Sequence, residues 1–195
     1  MKPKTFSFAK PLQKGRRVFI RSLTLRDESE LLSKTNRNRG YTRPWVHPPV
    51  SAVDFRNRLK KYRTAAYESY TVCLLESGEI VGVININEIV RGAFQSGYLG
   101  YYGFSEFAGQ GYLTEGLQLV LRHAFSKLKL HRLEANIQPN NKPSLALVKR
   151  CGFKKEGYSP KYLKIAGRWR DHQRWTMLKE NFKITTTKTA SARAY

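Results

Sequence analysis

Acidic residues are scarce in this chain. Only 14 Asp and Glu stand against 36 Lys and Arg in 195 residues, a formal net charge of +22. Cysteine is scarcer still, with Cys73 and Cys151 alone. Two isolated thiols build neither a disulfide framework nor a zinc site, so both read as reduced residues in or near a core, no metal is expected, and a cytoplasmic protein follows. No apolar run approaches the length that spans a bilayer, so no membrane partner is expected. The opening Met1-Lys2-Pro3-Lys4-Thr5-Phe6 is basic but lacks the apolar stretch of a signal peptide. No internal repeat is visible.

What is present is one ordinary domain's worth of chain, with its charge unevenly placed. Residues 1–70 carry 17 Lys/Arg against 5 acids, residues 71–120 one against 5, and residues 121–195 carry 18 against 4. Two basic flanks thus enclose an acidic middle. A basic excess of this size favours polyanions, either a nucleic-acid surface or an anionic ligand. Residues 1–15 read as an extension, 16–180 as the folded domain, and the Thr/Ala/Lys-rich 181–195 as a flexible basic tail.

Periodicity organises the domain. Residues 16–25 alternate as a strand, Asp27 is placed to cap a short helix carrying Leu31 and Leu32, and 41–49 form a Pro-interrupted aromatic loop. Phe55, Leu59, Tyr62 and Ala66 recur at helical spacing, which predicts a helix over 52–68. Strands are expected at 70–76, 79–90 and 97–104, with Ser77-Gly78 turning the first hairpin. A long apolar face from Leu113 to Leu128 predicts a helix over 113–129. A strand at 131–138, a helix at 143–149 and strands at 161–167 and 171–178 complete the order. The expected fold is α/β, a mixed sheet with helices on both faces.

Phe107-Ala108-Gly109-Gln110-Gly111-Tyr112-Leu113-Thr114-Glu115 lies where the third of these strands gives way to the long helix. Glycines one residue apart let backbone approach a ligand closely, and the first helical turn offers free N–H groups and a positive dipole end to an anion. The dinucleotide fingerprint needs a third glycine, and a phosphate loop needs Gly-Lys-Ser/Thr; neither is present.

Three segments, Gly109 to Glu115, Asn140-Asn141-Lys142-Pro143-Ser144 and Cys151-Gly152-Phe153-Lys154-Lys155-Glu156-Gly157, resemble in order and spacing the acetyl-CoA core of the GNAT N-acyltransferases. Tyr98-Leu99-Gly100-Tyr101, Asn85 with Val90-Arg91-Gly92, and Trp169-Arg170-Asp171-His172 are similar to the RimJ type of ribosomal-protein N-terminal alanine acetyltransferase. The resemblance runs from about residue 15 to 178. It implies splayed central strands, with the backbone of Gly100 to Gly103, Tyr101 included, serving the two amides of the pantetheine arm of acetyl-CoA. It implies a pyrophosphate cradle over Ala108, Gly109, Gln110, Gly111, Tyr112, Leu113 and Thr114. Asn141 would bond the pantetheine arm, and Ser144 would sit near the sulfur, placed to stabilise or protonate the departing thiolate; both also suit helix capping. The family's turn usually begins with a cation or Gln, and here that position is Ala108, so the grip there is expected from backbone amides.

The implied activity is acetylation of a protein N-terminus, with a ribosomal protein as partner and RNA or a ribosomal particle engaged through the basic flanks. Attack needs a neutral amine, and an α-amino group with pKa near 7.7–8.0 supplies one far more readily than a lysine near 10.4. Glu88 and Glu134 are the candidate bases beside Ser144, and strand alternation decides which of them faces the cleft. Tyr101 and Tyr102 are candidate acids. Asp171 reads as orienting a turn or pairing with Arg170, and His172 as a structural histidine, with substrate binding or titration the alternative. Trp45, Asn85 and Trp169 are the candidate acceptor contacts. Two other classes stay open, a small-amine acetyltransferase acting on a polyamine or antibiotic, and an RNA-binding or ribosome-assembly protein that keeps the fold.

Overall fold

Every second residue of the strand Arg132–Ile137 is buried, Leu133, Ala135 and Ile137, while Arg132, Glu134 and Asn136 are only half-buried. That alternation belongs to a sheet covered differently on its two faces. The computed structural model describes residues 10–183. In chain order these form β1 (Gln13–Lys14), β2 (Val18–Ser22), α1 (Glu28–Arg37), α2 (Arg39–Thr42), α3 (Ala52–Lys61), β3 (Glu68–Leu74), β4 (Ile80–Val90), β5 (Ser96–Gly103), α4 (Tyr112–Ser126), β6 (Arg132–Ile137), α5 (Lys142–Arg150), β7 (Lys154–Ile165) and β8 (Arg168–Leu178). The strands make one sheet in the order β1-β2-β3-β4-β5-β6-β8-β7. Every neighbouring pair is antiparallel except β5 and β6.

On one face, α4 lays Leu117, Val120, Leu121 and Phe125 against Val18, Ile20, Val72 and Ile84, and α5 adds Leu145 and Val148. Gly116 makes this approach possible, because a Cβ there would stand 2.6 Å from a methyl of Val72. On the other face α1 and α3 bring Leu31 and Phe55 onto Phe19, Cys73, Ile80 and Val83. Helices therefore lie on both faces, as expected. Both thiols are buried and free.

Several boundaries differ from the sequence reading, each for a local reason. Gln13 and Lys14 pair with Ile20 and Phe19 as an edge strand, flanked by backbone bonds from Leu12 and Gly15, so residues 12–15 of the expected extension join the sheet. Asp27 does precede α1, but its carboxylate makes no cap bond; it forks onto Arg21 at 2.7 and 2.9 Å and accepts the Thr24 N–H at 2.7 Å. A buried guanidinium claims that carboxylate more strongly than a helix end does. The third helix ends at Lys61 rather than 68, and the following chain turns so that the Ala66 carbonyl accepts the Ile89 N–H beside a bulge in β4. The strand β7 begins at Lys154, earlier than expected, and carries two register shifts. Phe182 packs its ring 5.5 Å from that of Phe125, which keeps residues 181–183 with the domain; the remainder of the expected tail, like residues 1–9, lies outside the described residues.

Candidate active site

The parallel pairing of β5 with β6 runs from Ser96↔Arg132 to Leu99↔Ala135 and then stops. Beyond it, Gly100 to Gly103 keep their ladder to β4 but have no partner strand on the β6 side. This is the splay that the resemblance implies. A cleft of about 460 Å³ opens there, lined by Leu99 to Phe104 from β5, Ala135 to Gln138 from the end of β6, and the entrance to α4. A peptide edge without a partner strand is a ready partner for the amides of an extended ligand.

The turn into α4 is shaped by two glycines in the left-handed region, Gly109 at φ +74° and Gly111 at φ +81°. Gly111 is the N-cap and has no side chain with which to cap the helix. The N–H groups of Tyr112, Leu113 and Thr114 thus lack the intrahelical partners that later residues find, and they stand where the dipole favours an anion. Ala108, Gly109, Gly111, Tyr112, Leu113 and Thr114 all line the cleft. Gln110 does not. Its amide turns back to the Glu106 carbonyl at 2.9 Å, and its own carbonyl accepts from Arg17 at 3.0 Å. Arg17 also lies over the Tyr112 ring at 4.6 Å and pairs with Glu115 at 3.3 Å. A cation therefore does stand at this turn, brought from 94 positions upstream of Gly111 by the β2–α4 contact rather than from position 108. The glycine pair, the uncapped helix start and the open β5 edge suit an elongated ligand with amides at one end and phosphates at the other.

At the far wall Asn141 caps α5, its Oδ1 accepting the Ser144 N–H at 3.2 Å. Ser144 Oγ in turn donates to the Tyr101 hydroxyl at 2.7 Å. Asn141, Ser144 and Tyr101 all line the cleft, so capping and a place at the site coexist. Burial holds the Tyr101 phenol well above its ordinary pKa, although the Ser144 hydrogen bond works against that shift. The group stays protonated throughout the working range. Each hydroxyl can donate as well as accept, so the pair forms a short proton-bearing link inside the cleft lining.

The two carboxylates expected as bases are elsewhere. Glu88 sits exposed at the β4 bulge with φ +51°, outside the cleft lining. Glu134 is also outside it and accepts from Arg132 Nε at 2.8 Å. Alternation puts Glu134 on the face of the sheet away from α4 and α5, beside β8, where a neighbouring guanidinium fixes it. Asp171 holds the β7 bulge through Tyr158 at 2.6 Å and the Lys161 N–H at 2.7 Å, and these bonds keep it below the usual carboxylate range. Trp45 lines the cleft with Tyr41. Trp169 does not, being 60% exposed on the β7–β8 hairpin. Asn85 lies in a separate small cavity against Tyr62 and accepts the Ser69 hydroxyl at 2.7 Å. Phe104 and Phe107 were not anticipated in the wall, nor was His172 as a lining residue, buried to 2% exposure. The Trp-Arg-Asp-His stretch was in view, but no sequence pattern gives the distance from β8 to the mouth of the splay.

Residues 17–154 match the family described as the acetyltransferase (GNAT) domain. Among curated relatives, the [ribosomal protein uS5]-alanine N-acetyltransferase of Escherichia coli is 35% identical over 166 residues, covering 80% of this chain and 84% of that protein. Among solved structures, Mycobacterium smegmatis RimJ in complex with CoA-disulfide superposes with a TM-score of 0.78 at 28% identity, covering 84% of this chain and 82% of that one. The spermidine N-acetyltransferase of Vibrio cholerae, in complex with CoA and spermine, shares the fold with a TM-score of 0.72 at 20% identity, covering 85% of this chain and 97% of that one.

Proposed function

Because the chain belongs to the acetyltransferase (GNAT) family, whose members take acetyl-CoA as donor, we propose that its acceptor is the α-amino group of a protein N-terminus, an N-terminal alanine of a ribosomal protein. One observation carries this reading. Among the described residues, no Asp or Glu lines the cleft; its wall is aromatic and polar-neutral, with Tyr41, Trp45, Tyr102, Phe104 and Phe107 beside Arg150. A polyamine brings several positive charges and needs carboxylates to replace the water it loses. A chain of net charge +22 with a carboxylate-free cleft repels such a substrate. An N-terminal alanine brings a single amine, a methyl group and then backbone. It also deprotonates near neutral pH, so the amine reaches the cleft already partly nucleophilic.

Within this reading Gly100 to Gly103 and Asn141 hold the pantetheine arm, and the uncapped start of α4 holds the pyrophosphate with Arg17 nearby. Tyr101 keeps a proton on its hydroxyl for the departing sulfur, and Ser144 holds that oxygen in place. Trp45 and Tyr41 form the wall against the acceptor. The basic flanks draw the enzyme to ribosomal RNA in the cytoplasm, an attraction that weakens steeply with salt. The domain is read as residues 16–180 extended at both ends, by the edge strand β1 before it and by Phe182 packed on Phe125 after it.

Acetyl-CoA turnover against a panel of N-terminal peptides, beside N-terminally blocked lysine peptides and spermidine, tests the proposal. Turnover on free N-termini, with alanine first among them, is expected. Preference for spermidine would overturn it.

A further inference from the structure

A base is missing from the account so far, because both expected carboxylates lie away from the cleft. One titratable side chain in the lining has its chemistry set by its bonds. His172 sits on β8, opposite the end of β6, with its ring edge-on to Tyr162 at 6.0 Å between centroids. Its Nδ1 lies 2.9 Å from the Arg170 carbonyl oxygen. A carbonyl only accepts, so Nδ1 carries the hydrogen and Nε2 carries the lone pair. No protein donor bonds Nε2 among the described residues, and His172 is one of the residues lining the cleft. The Arg170 carbonyl and the Tyr162 ring thus fix both tautomer and orientation, as a preorganised base requires.

We propose that His172 Nε2 is the general base of the acetyl transfer, taking the proton of the acceptor amine directly or through one water. The amine nitrogen bonds to the thioester carbonyl carbon, and His172 Nε2 receives the N–H proton that this bond makes acidic. The C–S bond then breaks with its electron pair on sulfur, and the thiolate takes the Tyr101 hydroxyl proton. The imidazolium returns its proton to solvent and Tyr101 is reprotonated from it, so free thiol and amide are the net products. Burial lowers the His172 pKa from its ordinary value, while the Arg170 carbonyl and Asp171 oppose that shift, so the ring is neutral and ready to accept at pH 7.

The assignment rests on transfer to an amine and not on which amine is used. His172→Ala and His172→Gln are assayed with acetyl-CoA on an alanine-first peptide, and on spermidine if that proves the better acceptor of the unmodified enzyme. In this way failure of the N-terminus reading and failure of the base assignment are told apart. His172→Ala is expected to lower kcat by roughly 10²- to 10⁴-fold while leaving the Kd for acetyl-CoA within about twofold. Added imidazole should restore part of the lost rate in proportion to its concentration, because it supplies the missing lone pair to the space left behind. His172→Gln keeps an N–H for the Arg170 carbonyl but offers no basic nitrogen, so it should fold, bind acetyl-CoA and remain slow. Should the alanine variant not fold, the glutamine variant decides alone. Near-normal turnover by His172→Gln would overturn the assignment, as would an alanine variant that folds and does not respond to imidazole.

Discussion

In the proposed reading, the donor side and the acceptor side of the cleft are built from different materials. The donor side is mostly backbone: the open β5 edge at 100–103, two left-handed glycines and the uncapped start of α4. The acceptor side is mostly side chains brought from distant segments, Tyr41 and Trp45 before α3 and His172 on β8. A backbone-built site depends on a few φ angles and tolerates many side chains. A side-chain-built site changes with each substitution, which lets related enzymes keep one donor while varying the acceptor. Substitutions on the donor side should therefore move acetyl-CoA binding or the departure of sulfur, and those on the acceptor side should move amine selection, or at His172 proton removal, without changing acetyl-CoA binding.

After the His172 variants, the largest effect should come from Tyr101→Phe, which removes the proton held for the leaving thiolate. The expected loss is about 10²-fold in kcat with little change in the KM for acetyl-CoA, measured by steady-state kinetics. A loss confined to KM would place Tyr101 in binding alone. Next is Gly111→Val, which forces a β-branched residue to φ +81° and sets its Cβ 3.3 Å from Arg17 Nη2. A penalty of about 1–3 kcal/mol is expected, or roughly 5- to 150-fold in acetyl-CoA affinity by calorimetry, with peptide selectivity intact. Trp45→Ala should do the reverse. Losing an aromatic wall weakens peptide binding by about 1–2 kcal/mol, roughly 5- to 30-fold in KM for the peptide, and leaves the acetyl-CoA constant unmoved. If both constants rose together, the two sides would not be separable.

That same division explains what could be read from sequence. The glycines, the Asn141 cap and the apolar face of α4 are local patterns, and they marked the turn into α4, the start of α5 and the mixed sheet. Arg17 could not be found in this way. Its place at the turn follows from β2 packing under α4, and the turn's own position for a cation holds Ala108. Glu88 and Glu134 looked eligible because they lie on central strands, yet a bulge and the Arg132 guanidinium remove them from the cleft. His172 was in view with a structural role favoured over substrate binding or titration, since only the tertiary fold shows that its Nδ1 is tied down while the residue lines the opening. Asp27 teaches the same lesson at smaller scale, an apparent cap captured by a buried guanidinium.

The smallest effects should come from residues away from both sides. Glu88→Gln and Trp169→Ala should leave kcat/KM on a short peptide within about twofold, because both are exposed and outside the lining. The thiols should likewise be silent. Burial pushes Cys73 up to about 11 and Cys151 up to about 12, so at pH 8 each is almost wholly the unreactive thiol. The folded protein should resist iodoacetamide at that pH, as intact mass would show, and a rapidly labelled Cys151 would mean that the α4–α5 packing opens.

The central claim is that a carboxylate-free aromatic cleft selects an N-terminal amine. The ratio of kcat/KM for an alanine-first peptide to that for spermidine, measured with the same enzyme and acetyl-CoA concentration, tests it most directly. A ratio well above one is predicted, collapsing when the peptide's α-amino group is blocked even if a lysine is present. A ratio below one, or turnover that survives the blocked N-terminus, would contradict it.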